Sequence, residues 1–107
     1  MVRPKVVTLC GSTRFYQQFQ EWNYRFTMGG IIVLSVGFYP HNAQVRGEGV
    51  GATSDEKAAL DELHKRKIDL SDEIFVLNVD GYIGSSTRGE IAYAKAIGVP
   101  VKYLEPF

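Results

Sequence analysis

Four short apolar runs, at residues 5–10, 31–36, 73–79 and 99–104, alternate with three longer segments of helical periodicity. Nothing else in the chain constrains its fold as tightly. Runs of this length suit strands, and a helical stretch between each pair supplies the crossover that parallel pairing needs. The expected order is βαβαβαβ, an α/β fold with a parallel sheet and right-handed connections. Residues 31–36 (Ile-Ile-Val-Leu-Ser-Val) are apolar on both faces, as a strand covered on both sides should be.

The punctuation agrees with this order. The first run ends at Gly11, and Ser12 or Thr13 offers a cap for the next helix. Phe15, Phe19, Trp22 and Phe26 recur every three or four residues and form one aromatic stripe. Gly29-Gly30 stops that helix. A glycine-rich stretch follows over residues 37–53, long enough to suggest a functional loop or lid. Its Phe38, Tyr39, His41, Asn42, Gln44 and Arg46 suit stacking on, and reading of, a planar base. The second helix is expected from near Ser54 to about Leu70, with Thr53 and Glu56 at capping-box spacing. The third is expected over about residues 87–97.

Size and charge narrow the function classes. The 107 residues make one domain, 1–107, with no repeat, linker or low-complexity tract. Lys plus Arg and Asp plus Glu number 12 each, so no global charge draws the chain to a nucleic acid polymer or an anionic membrane. The longest apolar run is too short to span a bilayer, and no signal-peptide core opens the chain. Cys10 is the single cysteine, which excludes an internal disulfide and fits a reducing, cytoplasmic setting. No Cys/His spacing matches a metal site, so no metal is expected.

The segment Gly84-Ser-Ser-Thr-Arg-Gly-Glu90 carries the chemistry. It sets the Glu90 carboxylate in the expected first turn of the last helix, just after a polar loop at the end of strand three. Ligands of open α/β sheets bind at such strand ends. Two readings of Glu90 compete. Thr87 and Glu90 have capping-box spacing, which would make the glutamate a backbone cap. Alternatively, a helix N-terminus favours the ionised carboxylate that a nucleophile or base must be. The turn Gly11, Ser12, Thr13 and Arg14 is either an ordinary cap or an anion site built from backbone N–H groups, hydroxyls and a guanidinium. Arg88 would add charge to that pocket or face water. Asn78 and Asp80 end strand three; Asp80 would bind sugar hydroxyls or simply form a turn with Gly81.

Three segments resemble the nucleoside 2-deoxyribosyltransferase family, nearest its branch of 2′-deoxynucleoside 5′-phosphate N-hydrolases. They are Cys10-Gly-Ser-Thr-Arg14, Ser71-Asp-Glu-Ile-Phe-Val76, and Glu90-Ile-Ala-Tyr-Ala followed by Ile97-Gly-Val-Pro-Val. Their order spans nearly the whole chain. The resemblance implies a flavodoxin-like (Rossmann-like) three-layer sandwich with a four- to five-stranded parallel sheet, dimeric or larger. It also implies cleavage of the bond between a base and a deoxyribose, without metal or organic cofactor, on a small-molecule nucleoside or nucleotide. In that family the glutamate of the third motif attacks the anomeric carbon, a role that falls on Glu90. The turn after strand one holds the 5′-phosphate, helped by a serine at the position of Ser85 or Ser86. Asp72, which precedes strand three, is expected to be structural.

Two departures stand out. The family carries an aspartate, serving the leaving base, eight residues before the position of Asp72; here that residue is His64. Histidine with its ordinary pKa near 6.5 suits proton donation. Yet Leu60, His64 and Ile68 share one helical face, which also reads as core. Asp61 is the alternative acid, expected on a different face. The family's strand-one tyrosine is Thr8 here, and Tyr16, Tyr39 or Tyr82 stands to replace its hydroxyl. Two rival readings keep the same fold: a non-catalytic nucleotide-binding or sensing module, and a flavin binder.

Overall fold

The computed structural model describes residues 3–36 and 54–106; the expectations placed on 37–53, including Thr53 and the base-reading loop, lie outside the described residues. The observed order is β1 (Val6–Cys10), a 3-10 turn (Thr13–Phe15), α1 (Tyr16–Met28), β2 (Ile32–Leu34), α2 (Ser54–Asp69), β3 (Glu73–Val76), a second 3-10 turn (Val79–Gly81), α3 (Ser85–Ile97) and β4 (Val101–Tyr103). All strand pairs are parallel, in the spatial order β2-β1-β3-β4. The chain is an α/β protein with a four-stranded parallel sheet and three helices.

The two-residue period of the strands divides the core. Val7 and Leu9 of β1, with Phe75 and Leu77, face α1. There the aromatic stripe acts as expected: Phe19 is fully buried, and the Trp22 and Phe26 rings lie 5.0 and 5.1 Å from that of Phe75. Cys10, Ile74 and Val76 form the other core with Ile68 of α2 and with Ile91 and Ala94 of α3. Thus α1 covers one face, and α2 with α3 covers the other.

Boundaries differ from the sequence expectations where packing or hydrogen bonding decides them. β2 is an edge strand among the described residues, with Ile32 44% exposed, so it is not covered on both sides. Its apolar run reflects packing of Ile31 and Val33 on α1. β3 stops at Val76, because Asn78 turns from the ladder to bind the C-terminal segment. Its Nδ2 donates to the Glu105 carbonyl at 3.1 Å, and its Oδ1 accepts from the Glu105 N–H at 2.9 Å. α3 starts at Ser85 on an extended Gly84, two residues earlier than expected, and ends at a left-handed Gly98 (φ 82). Asp72 is structural: it grips the Arg3 guanidinium through two 2.8 Å bonds and accepts the Val6 N–H at 2.8 Å.

Candidate functional site

The order β2-β1-β3-β4 puts a topological switch between β1 and β3, since the chain leaves β1 for a strand on one side while β3 flanks it on the other. Crevices open at the carboxyl ends of such strand pairs. Here a cavity of about 560 Å³ opens at that edge, within the size range of small-molecule sites. Its walls are the turn after β1, one face of α2 and the first two turns of α3.

Gly11 makes the turn after β1 possible. With φ +157, a Cβ there would lie 3.1 Å from the Leu77 Cβ and 3.3 Å from the Leu77 carbonyl. Any other residue there would have to push Leu77 back by a few tenths of an ångström, so glycine suits the close passage of β1 beside β3. Ser12 then caps the 3-10 turn, its Oγ accepting the Arg14 N–H at 3.3 Å. The Arg14 guanidinium rests 4.2 Å from the centre of the Tyr82 ring. Gly11, Ser12, Thr13 and Arg14 line the cavity, and so do Ser85 and Ser86 from the opposite wall. Lys57 reaches across from α2 and donates to the Ser86 hydroxyl.

Glu90 also lines the cavity, but not as a first-turn residue. With α3 beginning at Ser85, Glu90 falls in the second turn and Thr87 occupies the third helical position, so the capping-box reading of this pair is corrected. The dipole of the helix end fades within its first turn. Burial therefore dominates. Burial first, and then the nearby charge of Asp61, lifts the Glu90 carboxyl from 4.5 to about 7, against the opposing pull of the Cys10 thiol, Lys57 and Lys65. The expectation of a helix-stabilised, fully ionised carboxylate is corrected accordingly.

His64 is 5% exposed, and its Nε2 lies 3.4 Å from Cys10 Sγ and 3.8 Å from Glu90 Oε1. Burial, then the Lys67 charge, lowers its pKa from 6.5 to about 4, against the pull of Asp61 and a hydrogen bond to the Leu9 backbone. At neutral pH the ring is uncharged and lacks the imidazolium proton that a general acid gives, so the expectation of a His64 acid titrating near neutrality is corrected. The 3.8 Å approach to Glu90 is not an ion pair either. Between about pH 4 and pH 7 both groups are neutral, because a low-dielectric setting penalises both charges. Cys10 is fully buried, and burial followed by the Glu90 charge pushes its thiol well above the ordinary value. A protonated, buried thiol is a poor nucleophile.

Of the residues expected to react or to hold the phosphate, Gly11, Ser12, Thr13, Arg14, His64, Ser85, Ser86 and Glu90 border the cavity, and Asp80 does not. Asp80 takes a left-handed conformation (φ 53) in the turn Val79–Gly81, and its N–H donates to Glu105 Oε2 at 2.9 Å. The turn reading wins there, and the sugar-hydroxyl reading is withdrawn. Arg88 is also absent from the wall; its Nε donates to the Ile83 carbonyl at 3.3 Å. Asp61, assigned to a different face, lines the cavity beside His64. Residues three apart on a helix are only about 60° apart in projection, so the two share a face. Among the described residues Tyr82 lines the cavity and Tyr16 does not, and Tyr39 lies outside the described residues. Thr8 is buried, bonded to Ser71 and to the Lys67 carbonyl.

The residues missed were Lys57 and Lys67, which also line the cavity. A signal existed: 57, 61, 64 and 67 recur at helical spacing and put charge on a face that also carries Leu60 and Ile68. Comparisons of the chain with protein-family models, with curated proteins and with solved structures find no match. The described fold and site define an α/β protein with a small-molecule-sized cavity at its sheet edge, walled by one buried carboxylate and several cationic side chains. No helix among the described residues is long and apolar enough to cross a membrane.

Proposed function

We propose that this chain cleaves the N-glycosidic bond of a (deoxy)nucleoside 5′-monophosphate or nucleoside, with Glu90 as nucleophile on a flavodoxin-like scaffold. The observation that carries the reading is the buried Glu90 carboxylate in the wall of a cavity also lined by Ser12, Thr13, Arg14 and Lys57. A phosphate held by those residues keeps the sugar in the same cavity as the carboxylate. The strand order agrees with a flavodoxin-like sheet, whose ligands sit at the β1/β3 crevice.

In the reaction, an Oε of ionised Glu90 bonds to C1′ as the C1′–N bond breaks, and the base leaves with the bonding electrons and takes a proton from solvent, which the later attack of water returns. Water, or a second base, then attacks C1′ and returns the carboxylate. The transition state is oxocarbenium-like, as in retaining glycosidases, which work with a pair of carboxyl groups. Asp61 lines the same cavity and is the second carboxyl group here. His64, neutral at pH 7, positions the buried groups around Glu90 rather than donating the proton.

The test is incubation with a panel of nucleosides and 5′-monophosphates at about pH 8, where Glu90 is ionised, following free base by chromatography. Release confined to monophosphates, and lost in Glu90→Gln, supports the hydrolase. Release from nucleosides only when a second base is present indicates transfer. Nucleotide binding without release, unchanged in Glu90→Gln, overturns the reading in favour of a binding module.

A further inference from the structure

We infer that Cys10, His64 and Glu90 together form a binding site for a zinc(II) ion. The three residues come from the end of β1, the middle of α2 and the second turn of α3. Their ligand atoms lie within 4.8 Å of one another, with Cys10 Sγ to His64 Nε2 at 3.4 Å and His64 Nε2 to Glu90 Oε1 at 3.8 Å. Zinc bonds of about 2.0–2.3 Å at tetrahedral angles put neighbouring ligand atoms roughly 3.4–3.6 Å apart. The observed edges need shifts of only a few tenths of an ångström for those two pairs.

The chemistry of the set agrees. Thiolate, imidazole and carboxylate are the ligand types zinc takes, and a mixed S/N/O set disfavours magnesium and calcium. The His64 ring also hydrogen-bonds the Leu9 backbone, the kind of outer partner that fixes the tautomer of a metal-bound histidine. Cys10, His64 and Glu90 are all buried on regular elements, so little ordering remains when a metal enters. His64 and Glu90 border the cavity, which leaves access and a fourth position open to water or ligand. This is the three-ligand, open-site pattern of zinc centres that bind exogenous groups.

The inference goes beyond the glycosidase reading and meets it at one atom. If Glu90 is the nucleophile, zinc on one of its oxygens draws off the negative charge with which the carboxylate would attack C1′. Occupancy would then slow base release.

The experiment titrates cobalt(II) into chelator-treated full-length protein, with absorption spectra recorded and zinc(II) then added. The expected result is a near-ultraviolet thiolate-to-cobalt band with intense tetrahedral visible bands, saturating at one ion per chain and abolished by zinc. Cys10→Ser should lose the near-ultraviolet band while its circular dichroism matches the parent. His64→Gln should shift and weaken the visible bands. Weak octahedral bands without thiolate character in the parent, or spectra unchanged in folded Cys10→Ser, would overturn the site. These readouts need no catalysis, so failure of the glycosidase reading leaves them interpretable, and the reverse also holds.

Discussion

Replacing Glu90 with glutamine should change how stability depends on pH, and by an amount set by its burial. The Glu90 carboxyl is raised from 4.5 to about 7 in the folded chain. Between those values the folded state holds a proton that the unfolded state has released. Stability from this group is therefore complete below about pH 4.5 and is lost as pH rises through 7. Each pH unit in that window is worth about 1.4 kcal/mol, so the whole loss is roughly 3 kcal/mol. His64 acts with the opposite sign. Its pKa is lowered from 6.5 to about 4, so the unfolded state binds the extra proton and stability rises with pH across that range. In the parent protein the two slopes oppose one another from about pH 4.5 to 6.5 and nearly cancel. Glu90→Gln removes one of them. The assay is denaturant unfolding of parent and variant at several pH values, read by circular dichroism. Taking the difference cancels the shared groups that do not face position 90. The variant should gain roughly 3 kcal/mol relative to the parent between about pH 4.5 and pH 7. A difference that does not vary with pH, or that falls as pH rises, would refute the argument that burial governs this carboxyl.

Three further outcomes follow from other parts of the molecule. Phe19→Ala should cost about 3–5 kcal/mol in chemical denaturation, because it empties a fully buried site beneath the α1 stripe. Gly11→Ala should cost about 1–3 kcal/mol, since its Cβ would press on Leu77 at 3.1 Å; an unchanged midpoint would show that β1 and β3 yield easily. Under the proposed chemistry, kcat/KM for base release should climb through about pH 7 as Glu90 ionises. A rate that is flat from pH 5 to 8 would separate the activity from that group.

Much of this architecture could be read along the chain, for reasons tied to particular residues. The strand runs were legible because they are short and apolar between helical segments, and α1 because Phe19, Trp22 and Phe26 share one face, with Phe15 just before it. The stop at Gly29-Gly30 was local, and α1 does end at Met28. Other features depended on distant partners. β3 ends early because Asn78 binds Glu105, twenty-seven positions away. The start of α3 depended on two residues, and that shift moved Glu90 from the first turn to the second. It also exchanged a dipole-stabilised carboxylate for a buried one. The side chains of the candidate site were largely identifiable by type, since hydroxyls, glycine and arginine cluster after β1 and before α3. Their electrostatics were not. The meeting of Cys10, His64 and Glu90 arises from three elements joined only by the sheet order, and no spacing rule along the chain reports it.

The sharpest test of Glu90 as nucleophile is to catch the bond it would form. A 2′-fluoro-2′-deoxynucleoside 5′-monophosphate slows the second half of a retaining mechanism and lets a covalent sugar–enzyme ester accumulate. Intact-protein mass spectrometry after quenching should show the added mass of the fluorinated sugar phosphate, and fragmentation should assign it to Glu90. Free base released with no adduct, or an adduct on a different side chain, would contradict the assignment.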